Sequence, residues 1–299
     1  MIICIDIGGT AMKGAAAFSA EDIRPFERIA TPAHDRAAFE AAIGDMIKAH
    51  PAAKAVAISI AGVIDPANGR INVANIPCIN GTQLQADLEA RFKLPFLIAN
   101  DADCFALAEA TLGAGKGEEV VFGIILGTGV GGGLVVNGRI VRGAGGFAGE
   151  WGHGPVIPAW IGDPPRRAPL FKCGCGQMGC VDTVGGARGL QRLHQHLHGV
   201  ELASTQIVEN WRGGGAAEAQ TLELYAELVS GPLSMVVNTV GANVIPAGGG
   251  LSNAADVLAL LDAAVRGKIL QKRGTPLIVP AECKVEPGLI GAAIMGLSA

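Results

Sequence analysis

Ile2-Ile3-Cys4-Ile5-Asp6-Ile7-Gly8-Gly9-Thr10 opens the chain as a β-rich apolar run stopped by a glycine turn, and a second short run, Lys13 to Phe18, follows it. The same form returns at Val120-Val121-Phe122-Gly123-Ile124-Ile125-Leu126, with Gly127-Thr128-Gly129 as the turn and Leu134 to Val136 as the next strand. Apolar, β-branched runs bounded by glycine read as strands. Two copies of strand, glycine turn and strand, about 120 residues apart, are too widely spaced for a solenoid repeat and point to two domains of related architecture. The expected division is residues 1–117 with 288–299 as a small N-terminal α/β domain and 118–287 as a larger C-terminal α/β domain, with the linker near Gly113–Gly117.

Between the two copies, Asp35 to Lys48 carries Phe39, Ile43 and Ile47 four apart, the spacing of one helix face. Ala55 to Ile60 reads as a strand, Leu84 to Phe92 as a short helix, Phe96 to Ala99 as a buried strand and Asp101 to Gly113 as an Ala-rich helix. Asn137-Gly138 is a type I′ hairpin signal. Helices are expected at Asp182–Leu197, Ala217–Val240, Asn253–Leu270 and Gly288–Leu297, with strands at Asn243–Pro246 and Leu277–Val279. Pro155 to Pro169 is proline-rich and reads as a loop or insertion. The fold class expected is α/β with mixed sheets.

Composition narrows the function. Hydrophobic residues make up 49% of the 299 and charged residues 17%, as in a well-buried globular protein. The formal net charge of −4 and the lack of a basic stripe argue against a nucleic-acid partner. The opening residues hold no basic leader before the apolar run, and Val120–Val136 is broken by glycines, so neither a signal peptide nor a membrane span is expected and the compartment expected is the cytoplasm. Seven cysteines, three of them between Cys173 and Cys180, suggest metal before disulfides.

Four groups of residues carry chemistry. A glycine turn lets backbone N–H groups face a phosphate with no Cβ in the way, which suits Asp6-Ile7-Gly8-Gly9-Thr10 and the run Gly127-Thr128-Gly129-Val130-Gly131-Gly132-Gly133. Asp6, at a strand end, has the chemistry to hold Mg²⁺ through water. A third cluster, Gly248-Gly249-Gly250, follows a strand and precedes a helix expected near Ser252. Asn100-Asp101 stands where a buried strand meets a helix; Asp101 fits both a helix N-cap and a general base for a hydroxyl attacking a phosphate, and the two roles do not exclude each other. Glu150 and His153, three apart, share a face if their segment is helical. Cys173, Cys175 and Cys180 with His153 supply the four ligands of a closed tetrahedral zinc site, which is structural. His194, His196 and His198 read as a solvated helix end.

These segments together resemble the ROK family (repressor, open reading frame, kinase) along essentially the whole chain: Asp6–Thr10, Asn100-Asp101, Gly127–Gly133, Glu150-x-x-His153, the C-x-C-G-x-x-G-C signature Cys173–Cys180, and Gly248–Gly250. The resemblance implies the actin-like ATPase (ribonuclease H-like) fold, two α/β domains around a cleft, with the last helix packed back on the first domain. It also implies an ATP-dependent sugar kinase in which Asp101 deprotonates a sugar 6-hydroxyl that attacks the γ-phosphate. The substrate implied first is N-acetylglucosamine, with N-acetylmannosamine and glucose as alternatives and a sugar-responsive regulator as the reading of another class. By the same likeness Gly62, Asn75, Asn100, Asp101, Glu150, His153 and Asp182 would meet the sugar. Asp6, Gly8, Gly9, Thr10, Gly127, Thr128, Gly129, Gly131 and Gly249 would meet ATP and Mg²⁺, and a homodimer or higher homo-oligomer is implied.

The sequence departs from the family pattern in places. Asp182 stands where Glu is usual, one methylene shorter; Asp103 replaces a usual Asn; Ala11 replaces a frequent Lys, with Lys13 close by; and Ala242-Asn243 replaces a common Pro-Asp.

Overall fold

The computed structural model describes residues 1–162 and 164–298; Asp163, within the proline-rich segment, and Ala299 lie outside them. In chain order the elements are β1 (Ile2–Ile7), β2 (Ala11–Ala17), β3 (Ile23–Ala30), α1 (Arg36–Ala49), β4 (Val56–Ile60), β5 (Val63–Ile64), β6 (Ile71–Asn72), α2 (Leu84–Phe92), β7 (Phe96–Asn100) and α3 (Asp101–Leu112). There follow β8 (Val120–Leu126), β9 (Val130–Val136), β10 (Arg139–Ile140), β11 (Trp160–Ile161), β12 (Arg166–Arg167), α4 (Ala187–His198), α5 (Ser204–Arg212), α6 (Ala216–Val240), β13 (Ile245–Gly248), α7 (Ala255–Lys268), β14 (Ile278–Pro280) and α8 (Pro287–Leu297). Among the described residues no helix is long and apolar enough to cross a membrane.

The chain divides into two compact units. The first holds Met1–Gly117, Gly133–Ala148 and Cys283–Ala299, the second Glu118–Gly132 and Gly149–Glu282. Gly133–Ala148 and Cys283–Pro287, expected from sequence in the second domain, fall in the first unit. β9 therefore begins in one unit and ends in the other.

In the first unit a five-stranded sheet runs β3-β2-β1-β4-β7. β1 is antiparallel to β2 and parallel to β4, and β4 is parallel to β7. The alternation of β1 sorts its side chains between two cores. Ile3, Ile5 and Ile7 pack with Phe39, Ile43 and Met46 of α1 and with Leu84 and Leu88 of α2. Ile2 and Cys4 face the other way, into a core of Ala15, Ala17, Ala57 and, from α8, Leu289, Ala292 and Ala293. The small residues on that side let α8 lie close: a Cβ on Gly291 would collide with the Cys104 backbone of α3.

β3 is absent from the sequence reading because Pro25 and the charges Arg24, Glu27 and Arg28 disguise it; it is the edge strand, where a proline's missing N–H costs no ladder bond. The β9–β10 hairpin turns at Asn137 (φ 50°) and Gly138 (φ 71°), the left-handed pair that a type I′ turn requires.

The second unit stacks β8, β13 and β14 in parallel. Buried Asp262 of α7 accepts the Leu277 and Ile278 N–H groups at 2.8 and 3.0 Å and is ion-paired to Arg266 at 2.7 Å, which fixes the approach to β14. Tyr225 of α6 is fully buried and its hydroxyl donates to Gly185 O at 2.9 Å. Three features of this unit's helices differ from expectation. The helix expected from Asp182 begins at Ala187, after a single 3-10 turn, Val181–Thr183. α5 precedes α6, separated by Gly213-Gly214-Gly215. A 3-10 turn, Leu251–Asn253, stands before α7.

Candidate active site and metal centre

The candidate residues fall in two sets, one in each unit. In the first unit Asp6 sits at the end of β1, and its Oδ1 accepts the Ser59 hydroxyl of β4 at 2.8 Å. Burial raises the Asp6 carboxyl above its ordinary range, against the lowering effects of the Ser59 hydrogen bond and the Lys13 charge. The turn after it is held at both ends: Gly8 N–H donates to Ala11 O at 2.9 Å, and the Thr31 hydroxyl donates to Gly8 O at 2.6 Å. Gly9 lies against Asn75, where an added Cβ would approach the Asn75 Cβ to 2.8 Å. Thr10 is exposed.

Asn100, not Asp101, caps α3. Its side-chain oxygen accepts Ala102 N–H at 2.8 Å and its amide donates to Gly62 O at 3.1 Å. This replaces the N-cap reading of Asp101. Asp101 is the first residue of the helix, with Oδ1 also accepting Ala102 N–H at 2.9 Å. The positive end of the α3 dipole favours a negative charge there.

In the second unit the turn Gly127–Gly129 is closed by Gly127 N–H on Gly129 O at 3.0 Å. Thr128 is exposed. Gly249 (φ 92°) brings the end of β13 onto this turn: a Cβ there would stand 2.6 Å from Gly127 N. Gly131, Gly132 and Gly133 are not part of the turn but lie in β9. Trp151 Nε1 donates to Gly131 O at 3.0 Å, a Cβ on Gly132 would meet the Trp151 ring at 2.6 Å, and one on Gly133 would meet Ala102 O at 2.6 Å. Close packing, which sequence spacing cannot distinguish from phosphate binding, accounts for Gly132 and Gly133.

Glu150–His153 is a turn, not a helix. His153 N–H donates to Glu150 O at 3.1 Å, and the His153 Nε2 is 3.9 Å from Glu150 Oε2. Burial raises the Glu150 carboxyl above its usual range, opposed by His153. The other ring nitrogen, Nδ1, lies 3.6 Å from Cys173 Sγ, and Cys175 Sγ lies 3.6 Å from Cys180 Sγ. One ligand atom from each of these four residues falls within 4.8 Å of the others. Tetrahedral zinc with bonds of about 2.3 Å to sulfur has edges of roughly 3.8 Å. The donor set and its spacing fit Zn²⁺.

Asp182 adjoins both features. Its Oδ1 accepts Val130 N–H at 2.8 Å just after the turn, its backbone N–H donates to Gly152 O at 2.9 Å, and Cys173 Sγ lies 3.7 Å from Oδ2. Ser59 and Val130 were not among the residues singled out from sequence: one acts through a hydroxyl inside a buried strand and the other through its backbone, and neither leaves a motif. The histidine cluster is corrected. His194 is 2% exposed and shares the Thr221 hydroxyl with His198, at 2.9 and 3.2 Å, so the pair packs α4 against α6.

The chain matches the ROK family over residues 2–298. It is 32% identical over 297 residues to an N-acetyl-D-glucosamine kinase of Pectobacterium atrosepticum, covering 98% of this chain and 97% of that protein. It is 33% identical over 296 residues to the N-acetylgalactosamine kinase AgaK of Shewanella sp. (strain ANA-3), covering 98% and 95%. Its structure superposes on the ROK hexokinase from Thermus thermophilus with a TM-score of 0.83, at 26% identity and 99% coverage of both chains, and the fold is the actin-like ATPase fold. With a match that runs through both glycine turns, Asp101 and the Cys173–Cys180 signature, this chain belongs to the ROK family.

Proposed function

We propose that this chain is an ATP-dependent sugar kinase that phosphorylates an N-acetylhexosamine, first of all N-acetyl-D-glucosamine at its 6-hydroxyl. The observation that carries the reading is full-length identity of 32–33% to kinases named for N-acetylhexosamines, with an acidic residue at the first position of α3. Asp101 takes the proton of the attacking 6-hydroxyl as its oxygen bonds to the γ-phosphorus and the bond to ADP breaks. Asn100, Gly62, Asn75, Glu150 and His153 are assigned to the sugar. Asp182 is assigned first to the Val130 N–H, with Oδ2 left for a sugar hydroxyl.

Gly8, Gly9, Thr10, Gly127, Thr128, Gly129, Gly131 and Gly249 are assigned to ATP, with Asp6 toward the Mg²⁺ that accompanies it and supplies charge neutralisation. His153, Cys173, Cys175 and Cys180 would hold Zn²⁺, whose contribution is to tie the loop to the Glu150 turn. The reading puts the reaction in the cytoplasm and the chain in a homo-oligomer, both on family likeness alone.

The test is steady-state kinetics with ATP on N-acetylglucosamine, N-acetylgalactosamine, N-acetylmannosamine and glucose. The highest kcat/KM is expected for N-acetylglucosamine. N-acetylgalactosamine in first place would favour the AgaK likeness instead, and glucose in first place would sink the N-acetylhexosamine assignment.

A further inference from the structure

Lys13 and Glu286 have no place in the reading above, yet they adjoin Asp6. Lys13 lies on β2 two residues after Ala11, so the two share a face of the strand. Its Nζ donates to Glu286 Oε2 at 2.7 Å, across 273 positions of sequence, and stands 4.0 Å from Asp6 Oδ2. The side chains are 31%, 35% and 24% exposed for Lys13, Glu286 and Asp6, half-sheltered at the mouth of the first glycine turn.

Glu286 adopts φ 49° and ψ 51°, the left-handed region, although it is not glycine and precedes Pro287. Both facts oppose that conformation. It occupies the N-cap position of α8, but its side chain makes no capping hydrogen bond. The carboxylate is spent on Lys13 instead. Two residues on, Gly288 touches Asp6 so closely that a Cβ would collide with Oδ1. The start of α8 is thus fitted to Asp6 on one side and holds Lys13 on the other.

The distances matter. At 2.7 Å Glu286 is a hydrogen-bonded partner, whereas at 4.0 Å Asp6 is a neighbouring charge and not a hydrogen-bond acceptor. An ammonium carries three donors. Glu286 takes one of them.

Resting on the assignment of this turn to ATP, we infer that Lys13 contacts the terminal phosphates of bound ATP and that Glu286 is the residue that positions it, holding the ammonium beside Asp6 without neutralising that carboxylate. The two roles have opposite consequences for Mg²⁺. Without Glu286, Lys13 moves onto Asp6 and competes with the cation. Without Lys13, no competitor exists but a phosphate contact is lost.

The experiment compares Lys13→Met, Glu286→Gln and the double variant, each checked for an unchanged thermal transition. Lys13→Met is expected to raise KM for ATP about tenfold or more, as loss of a charged hydrogen bond does, without raising the Mg²⁺ half-saturation. Glu286→Gln is expected to raise the Mg²⁺ half-saturation roughly two- to fivefold, the range of a partly exposed ion pair. The double variant should return it to the level of Lys13→Met, because the competitor is gone. A merely structural pair would shift Mg²⁺ dependence in the same direction in both single variants, and that result overturns the inference, as does an unchanged KM for ATP in Lys13→Met. Calorimetry with AMPPNP separates the levels. Wild type that binds the nucleotide but phosphorylates no sugar sinks the kinase reading alone, and the inference then stands or falls on whether Lys13→Met weakens binding. Wild type that binds no nucleotide sinks both.

Discussion

Asp182 Oδ1 accepts the backbone N–H of Val130 at 2.8 Å, and the same carboxylate blocks any side chain at Gly129. A residue on the far side of the cysteine signature therefore fixes the second glycine turn. Removing a charged acceptor from a part-buried N–H costs about 1.5–3 kcal/mol. Asp182→Ala is expected to lower stability by about that amount and to raise KM for ATP more than KM for sugar. Chemical denaturation with two-substrate kinetics checks both, and a rise confined to the sugar KM would reassign Asp182.

Asp101 gives a sharper outcome. Asp101→Asn keeps the size of the side chain and removes the base, so kcat should fall by about a hundredfold or more. Sugar binding, followed by calorimetry, should persist. Retained turnover would refute the assignment.

Zinc is expected at one ion per chain in protein purified without chelator. Cys180→Ser should release it and lower Tm by several degrees, because a structural metal contributes folding energy. Cys104→Ser, at a buried thiol in α3 outside the ligand set, should leave zinc content unchanged. Elemental analysis of the three proteins is the measurement.

Asp6 links pH to stability. Burial raises its folded carboxyl above the unfolded value, so at a pH between the two the folded state holds a proton that the unfolded state has lost. Stability is then greatest below the ordinary Asp range and falls as pH rises through the folded pKa. Asp6→Asn mimics the protonated form. Tm is expected to rise at pH 7 and to match wild type at pH of about 3, below the usual Asp range near 3.9. Activity is expected to be lost at both.

Two glycines test the packing account of β9. Gly133→Ala would force a methyl against Ala102 O and Ala106 and should cost about 1–3 kcal/mol, the range for overpacking. Gly267→Ala in α7 meets nothing within 4 Å and should add about 0.5–1 kcal/mol through helix propensity. Urea midpoints decide.

β1, β8 and α2 have the bounds read from sequence because each is a clean run or face between strong breakers, glycine or proline. β3 is hidden since an edge strand tolerates Pro25 and charge. The clustering of His153, Cys173, Cys175 and Cys180 was legible from spacing, since a tetrahedral site would need those side chains near one point whatever the backbone does, and their ligand atoms do lie within 4.8 Å of one another. The conformation around it was not: Glu150–His153 share a neighbourhood through a turn, not a helix face. Gly132 and Gly133 mislead for a general reason. Glycine permits close approach to any atom, and only the structure shows that the atoms are Trp151 and Ala102. His194 reads as solvated from sequence because its hydrogen-bond partner, Thr221, is distant in the chain.

The Leu289, Ala292 and Ala293 face of α8 closes a core whose other walls are β1 and β2. During synthesis those strands leave the ribosome before the second unit and their covering helix after it. That sheet must therefore wait, one apolar face uncovered, while the second unit is made. Exposed strands in this state invite aggregation and chaperone capture. The order of emergence makes the first unit the later of the two to reach its native core, and ties its maturation to residues on the far side of the second unit.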